Sequence, residues 1–410
     1  MIVPRLQLDW IDSQRERMID LVTTWSHINS GSYNLPGLQC CADAVGSEFS
    51  RLGGQMTRLD LPPQEIIDAK GHIVFQPLGQ AIQILKRPNA PIRVLLAIHY
   101  DTVYGEGHSF QRTTRVDANT LRGPGVADAK GGLVVLLTAL EAIERSGAAD
   151  QLGWEVLLNP DEEVGSPGSS SLFTEAAERN HLGLVFEPAL ADGSLVGARK
   201  GSGNFTAVVT GRAAHAGRDP QHGRNAIHEL AELIGTLNVI GEAIPSLTVN
   251  VGHIEGGGPV NIVPDLAIAR FNLRVDSAKE QSKVEGLLRQ AAVEINSREG
   301  LSLKIHGGFT APPKPLDGPT LQWFEQVALC GRELGLSLSW RSSGGVCDGN
   351  RLAAAGLPTV DTLGPRGGGL HSDAEYLLLD SLTERAKLTA LLLLKLPGSF
   401  PLSPVLRGEG

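Results

Sequence analysis

The sequence predicts an α/β protein, a mixed sheet with helices on both faces, with a ferredoxin-like α+β unit inserted into it. Three observations predict it. Short apolar runs of strand length, Val94–Ile98, Trp154–Leu158 and Leu182–Phe186, each lead directly into side chains able to bind a metal ion. From residue 203 the element order becomes β-α-β-β-α-β, the split ferredoxin-like arrangement. After it, helix and buried strand return through residue 394. Residues 1–202 and 314–396 are therefore assigned to one catalytic domain, 203–313 to an inserted second domain, and 397–410 to a flexible tail.

In chain order, residues 12–27 have helical periodicity, with Ile11, Met18, Ile19, Val22 and Trp25 on one face. Residues 29–37 read as a loop, and 38–52 as a second helix stopped by Gly53-Gly54. Strands at 55–61, 73–75 and 81–86 alternate apolar with polar residues. The connection 110–121 is polar and aperiodic, and helices follow at 133–145 and 170–178. The inserted unit reads as strand 204–210, helix 224–240, strands 247–254 and 267–275, helix 278–297 and strand 301–306. The chain returns through helix 319–334, strand 337–340, short helix 351–355, buried strand 359–362 and closing helix 381–394.

With 410 residues the chain is long enough for two domains. A composition of 41% apolar and 20% charged residues is that of a globular enzyme, and no apolar run is long enough to span a bilayer. Met1–Trp10 lacks a basic region followed by an apolar core, so no signal peptide is expected. A net charge of −9 argues against nucleic acid as a partner. The four cysteines include no Cys-x-x-Cys pair, which points to idle thiols in a reducing cytoplasm.

The candidate chemistry sits at the carboxyl ends of the apolar strands, where open α/β sheets place their sites. His99 follows the first strand, Glu162 and Glu163 the second, and Glu187 the third. Asp128 lies on the glycine-rich turn Gly123-Pro124-Gly125-Val126-Ala127-Asp128-Ala129-Lys130-Gly131-Gly132. Imidazole and carboxylate ligands suit zinc. Four such residues are too few for two ions, but His371, in Gly367-Gly368-Gly369-Leu370-His371-Ser372-Asp373-Ala374-Glu375, supplies a fifth. Five ligands can hold two ions if Asp128 bridges them, which leaves Glu162 free as a base. Asp101, two residues after His99, is expected to accept the imidazole N–H that the metal does not use.

These motifs resemble the zinc aminoacylase/carboxypeptidase family, which includes acetylornithine deacetylases, succinyl-diaminopimelate desuccinylases and bacterial glutamate carboxypeptidases. The likeness to the last group is strongest. It rests on His-Tyr-Asp-Thr-Val-Tyr, Gly-Pro-Gly-Val-Ala-Asp-Ala-Lys-Gly-Gly, Asp-Glu-Glu, Glu-Pro, Thr-Gly-Arg-Ala-Ala-His-Ala-Gly, Asn-Ile-Val-Pro and the late Gly-x-His-Ser. The resemblance implies a zinc-exopeptidase-type fold, two zinc ions per chain with cobalt or manganese as substitutes, and a homodimer formed through the inserted domain. It further implies that His215 reaches the neighbouring subunit's site to polarise the scissile carbonyl, and that Asn261 and Arg274 grip a substrate carboxylate. The backbone at Gly344 and Gly345 would approach the substrate.

The function it implies is hydrolysis of the amide bond of a small N-acyl amino acid or peptide with a free carboxylate. An N-acyl amino acid deacylase is the alternative. A catalytically silent metal-binding protein would lack a ligand or the base, and all six positions are filled. Two departures bear on substrate choice. Cys347 stands where relatives usually carry Thr or Ser nearby, and residues 303–312 lack the arginine that some glutamate carboxypeptidases carry.

Overall fold

Residues 92–99 form the strand around which the chain is built. Val94, Leu95, Leu96, Ala97 and Ile98 are each no more than 2% exposed. Burying a large aliphatic side chain contributes about 1.5–3 kcal/mol, so this strand is a rigid base for whatever follows it. In the computed structural model, which describes residues 5–147 and 150–399, it lies inside a six-stranded mixed sheet. The strand order is Gln55–Asp60, Gln80–Lys86, Leu152–Asn159, Ile92–His99, Leu182–Val185, Thr359–Val360. The first two pairings are antiparallel and the last three parallel.

Helices cover both faces, as strands buried on two sides require. Val94, Leu96 and Ile98 pack on the helices Gly132–Arg145 and Asp380–Ser399, while Leu95 and Ala97 pack on Ser170–Arg179 and on Leu352 of Gly349–Ala354. The predicted α/β class is therefore the observed one. The parallel half of the sheet aligns the carboxyl ends of three strands, and His99, the Glu162–Glu163 turn and Glu187 emerge there together.

Residues 201–311 build a separate four-stranded antiparallel sheet with its own core. Its order is Thr248–Gly256, Leu266–Val275, Gly201–Thr210, Ser302–Ala311. Phe205, Ala207, Ala269 and Phe271 face the helices Ala226–Ala243 and Ala278–Asn296. The alternate residues, including Asn204, Thr206, Arg270 and Asn272, face the opposite way.

Several expected boundaries move. The first helix is two, Arg5–Ser13 and Arg15–Ser26, separated at Gln14. The next helix begins at Leu35, inside the expected loop, because Asn34 caps it by accepting Gly37 N–H at 3.2 Å and Pro36 occupies its first turn. The connection 110–121 contains strand residues after all. Thr114–Arg115 and Thr120–Arg122 join Tyr376–Leu378 and Gly367–Gly368 in a small antiparallel sheet. The closing helix continues through Ser399, so the expected tail cannot begin at residue 397. The remainder of that tail, 400–410, lies outside the described residues. No helix among the described residues is long and apolar enough to cross a membrane.

Candidate metal centre

Four of the five predicted ligands come from the sheet edge and its turns, and the fifth from a hairpin loop. His99 ends its strand. Asp128 sits on the tight turn Val126–Gly131, entered through Gly125 at φ +68°, a left-handed conformation that glycine adopts without penalty. Glu162 and Glu163 occupy a single helical turn closed by Gly165 at φ +91°. His371 lies in the loop between Gly367–Gly368 and Tyr376–Leu378, itself at φ +60°. A non-glycine residue held there marks a position that its surroundings over-determine.

The structure brings these side chains together around Asp128. His99 Nε2 is 2.9 Å from Asp128 Oδ1, and His371 Nε2 is 3.5 Å from Asp128 Oδ2. Glu187 Oε2 lies 3.9 Å from His99 Nε2, and Glu163 Oε2 lies 3.2 Å from His371 Nε2. Ligand atoms of His99, Asp128 and Glu163 all fall within 4.8 Å of one another. The two oxygens of Asp128 thus face two different histidines, with Glu187 beside His99 and Glu163 beside His371.

Electrostatics supply a test of whether this donor set fits metal ions. Burial pushes Glu187 up to about 8, burial and neighbouring charge raise Glu163, and burial together with the charges of Glu187 and Asp348 raises Glu162 well above the carboxylate range. Burial opposes charge on His99, yet hydrogen bonds to Asp101 and Asp128 hold its pKa well above the ordinary value. Hydrogen bonds to Asp128 and Glu163 push His371 up to about 11. Glu162, Glu163 and Glu187 thus resist ionisation and the two histidines favour the charged form, while Asp128, hydrogen-bonded by both histidines, is held well below the carboxylate range against the effect of burial, the signature of a centre with more negative charge than it can hold alone. Divalent cations replace those protons, so the residues fit the ions.

Asp101 is fully buried and works harder than expected. His99 Nδ1 lies 3.1 Å from its backbone oxygen and 3.2 Å from Oδ1. The same carboxylate accepts the backbone N–H groups of Glu162 and Glu163, both at 3.2 Å, and the Ser32 hydroxyl at 2.6 Å. It therefore orients one ligand and fixes the turn that carries the base.

Glu375 was not singled out in the sequence, although it closes the same motif as His371. It is 1% exposed and accepts N–H groups from Gly125 (3.0 Å), Ala127 (2.9 Å) and Asp128 (3.1 Å), and the Tyr104 hydroxyl at 2.9 Å. This carboxylate joins the His371 loop to the Asp128 turn. A glutamate inside a Gly-rich motif, four residues from a candidate ligand, was the available signal. Arg199, also missed, forms a buried two-pronged pair with Asp361 at 2.9 and 3.2 Å and donates to Gly345 O at 3.1 Å. Its charge lowers the pKa of Glu187 against the dominant effect of burial.

The remaining predicted residues lie on the second sheet or facing it. Arg274 donates to Gly344 O at 2.5 Å and to Asn272 Oδ1 at 3.1 Å, so Arg274 and the Gly344–Gly345 loop meet. His215 is exposed, and its Nδ1 accepts the N–H groups of Gly217 and Arg218. It bridges Ile262, beside Asn261, whose carbonyl accepts Ala216 N–H at 2.9 Å. Among the described residues, neither His215 nor Asn261 is bonded to the Asp128 cluster.

A metal-ligand cluster at the carboxyl edge of a mixed α/β sheet, with a free glutamate beside it, defines a metal-dependent hydrolase. The chain belongs to peptidase family M20/M25/M40, whose model matches residues 95–395. Carboxypeptidase G2 from Pseudomonas sp. (strain RS-16) is 29% identical over 378 residues, covering 90% of this chain and 87% of the relative. The succinyl-diaminopimelate desuccinylase of Verminephrobacter eiseniae is 30% identical over 364 residues, 83% of this chain and 88% of its own. A Bacillus subtilis peptidase of the same family, described as binding a dinuclear metal, shares the fold with a TM-score of 0.64 at 14% identity over 95% of this chain and 100% of that one.

Proposed function

We propose that the protein is a dinuclear zinc hydrolase that releases the C-terminal residue, with its free carboxylate, from a small N-acyl amino acid or peptide. The observation that carries this reading is the position of Asp128, whose Oδ1 faces His99 at 2.9 Å and whose Oδ2 faces His371 at 3.5 Å. One ion would be held by His99 and Glu187, the other by Glu163 and His371, with Asp128 shared. When bound, the ions would supply Lewis-acid polarisation of the amide carbonyl and an acidified water.

The chain's own residues do the rest. Glu162 takes the proton of the attacking water and later passes it to the leaving amine nitrogen. Asp101 keeps His99 and the Glu162 turn in register. His215 and Asn261 are assigned to the active site of a second copy in a homodimer, which accounts for their exposure and for their having no bond, among the described residues, to the chain's own candidate ligands. His215 N–H would then stabilise the oxyanion, with a contribution of about 3 kcal/mol to the barrier. Arg274 and Asn261 hold the leaving residue's carboxylate, for which the guanidinium fork is suited, and the Gly344–Gly345 backbone borders it. The four free cysteines fit a reducing, cytoplasmic compartment.

The desuccinylase relative favours a second reading, deacylation of an N-acyl amino acid, in which the same machinery cleaves a short acyl group. A panel of peptides and N-acyl amino acids, turned over by zinc-loaded protein, tests both. Release of a C-terminal amino acid from peptides supports the first reading, and activity confined to short acyl groups supports the second. Equal turnover of substrates whose carboxylate is amidated contradicts both.

A further inference from the structure

A cleft of ≈850 Å³ opens between the second sheet, at Asn204, Thr206, Arg270 and Asn272, and a wall made of the segment 62–67 with Tyr33 and Val164. A smaller pocket of ≈380 Å³ reaches Glu163, and Tyr33 and Val164 line both. Tyr33 and Val164 thus stand between the cleft and Glu163. A Cβ built on Gly165, two residues past Glu163, would stand 3.5 Å from Thr310 Oγ1 and 4.0 Å from Asn204 Nδ2 on the second sheet.

One wall of the cleft is a strand edge. Residues Gln64–Ile67 pair on one side only, with Ile73–Gln76, and all four consecutive residues line the cleft. The ladder's phase follows from Asp68 N–H, which donates to His72 O at 2.9 Å. Hydrogen-bonded pairs alternate along an antiparallel ladder, so Ile66 and Gln64 bond inward, while Ile67 and Glu65 point their backbone groups outward. Ile67 O accordingly accepts Arg270 from the second sheet at 2.9 Å. The outward N–H and C=O of Glu65 and the N–H of Ile67 have no partner among the described residues. The opposite wall is a run of amides, in which Asn272 Nδ2 donates to Asn204 Oδ1 at 2.8 Å.

We infer that this cleft binds the acyl side of the substrate as an extended peptide segment, which adds to the free edge of Gln64–Ile67 as a further antiparallel strand. The inference rests on the carboxypeptidase reading and specifies its substrate as peptides rather than short acyl amino acids. The direction follows from the ends of the strand. The Tyr33 hydroxyl donates to Gln64 Oε1 at 2.9 Å, and Tyr33 also lines the pocket that reaches Glu163, whereas Ile67 packs with Val208 and Ile268 of the second sheet; the Gln64 end is therefore the one on the side of the metal centre. A peptide with its C-terminal residue at the metals runs N-terminally towards Ile67, antiparallel to the strand. Four strand residues extend about 13 Å, enough for three residues upstream of the scissile bond. An acetyl or succinyl group carries no upstream peptide N–H to donate to this edge. Strand addition gains affinity from main-chain hydrogen bonds and depends little on side chains.

The test measures binding by calorimetry in the zinc-loaded Glu162→Gln protein, with N-acetylglutamate and Ala-Ala-Ala-Glu as the two probes. The tetrapeptide should bind at least about tenfold more tightly, as two net hydrogen bonds allow. Adding Glu65→Pro removes an outward N–H without breaking a ladder bond, a position where proline is tolerated, and should cut the gain by about fivefold, the worth of one such bond. Adding Glu65→Ala should keep it. Equal affinity of the two probes, or a gain undiminished by Glu65→Pro, overturns the inference. Should the proline variant not fold, ester replacement of each peptide N–H in the tetrapeptide decides the same question: loss at the one position opposite Glu65 supports it, and no loss at any position overturns it. Because no turnover is involved, failure of the carboxypeptidase reading would appear separately, as absence of hydrolysis by the unmutated protein.

Discussion

The carboxylate of Glu375 accepts the backbone N–H of Asp128 at 3.1 Å, so the ligand proposed to be shared is held by a residue 247 positions away in the chain. Two further N–H groups of the same turn, of Gly125 and Ala127, end on this carboxylate. Glu375→Ala would leave buried donors without an acceptor, at about 1–3 kcal/mol each. We expect a lower melting temperature and zinc affinity reduced about 10–100-fold, with Glu375→Gln intermediate. Unchanged zinc affinity in a folded Glu375→Ala protein would show that the Asp128 turn holds its shape without it.

The division of labour between the adjacent glutamates is also testable. Glu163 Oε2 lies 3.2 Å from His371, whereas Glu162 makes no such contact. Glu162→Gln should lower turnover by at least ~10²-fold and leave zinc content unchanged. Loss of zinc would mean that Glu162 is a ligand.

The metal-free protein should weaken as pH rises. Glu187, raised by burial from 4.5 to about 8, and Glu375, raised by burial from 4.5 to about 7, keep protons that the unfolded chain releases in mild acid. His371, raised by Asp128 and Glu163 from 6.5 to about 11, keeps a proton that the unfolded chain releases near neutrality. In each case the folded state binds more protons than the unfolded one, so stability falls with increasing pH, through the window from about 4.5 to 8 for Glu187 and from about 6.5 upwards for His371. Zinc displaces those protons, and its stabilising effect should grow over the same range. Melting curves from pH 5.5 to 8.5, with and without chelator, would show it. A metal-free protein that gains stability with pH would contradict these assignments.

The sheet edge and most of the centre were legible in the sequence because each feature has a local signature. Apolar runs at Val94–Ile98 and Leu182–Phe186 mark buried strands, and the ligands follow them directly. The glycine-rich turn announces Asp128. Glu375, Arg199 and the Gln64–Ile67 strand were not legible, since their roles depend on partners far off in sequence. Asp361 lies 162 positions from Arg199, and the hairpin's free edge has meaning only beside the second sheet. The 110–121 segment failed for a related reason: its strands are two and three residues long, too short to show a period, and the second of them pairs with the distant Tyr376–Leu378.

The homodimer assignment has its own test. Glu162→Gln and His215→Ala proteins, unfolded together and refolded as a mixture, should recover about a quarter of full activity if each site borrows His215 from a second copy, since random pairing makes half the dimers mixed, with one intact site in two. No recovery in confirmed mixed dimers would place His215 in its own chain's site or outside catalysis.

Asp128 is proposed to join two metal half-sites. Metal analysis of purified, zinc-equilibrated protein tests it most directly, with His371→Ala alongside. About two zinc ions per chain, falling to about one or fewer in His371→Ala, is the predicted result. A single zinc ion per chain, or a stoichiometry untouched by loss of His371, would contradict it.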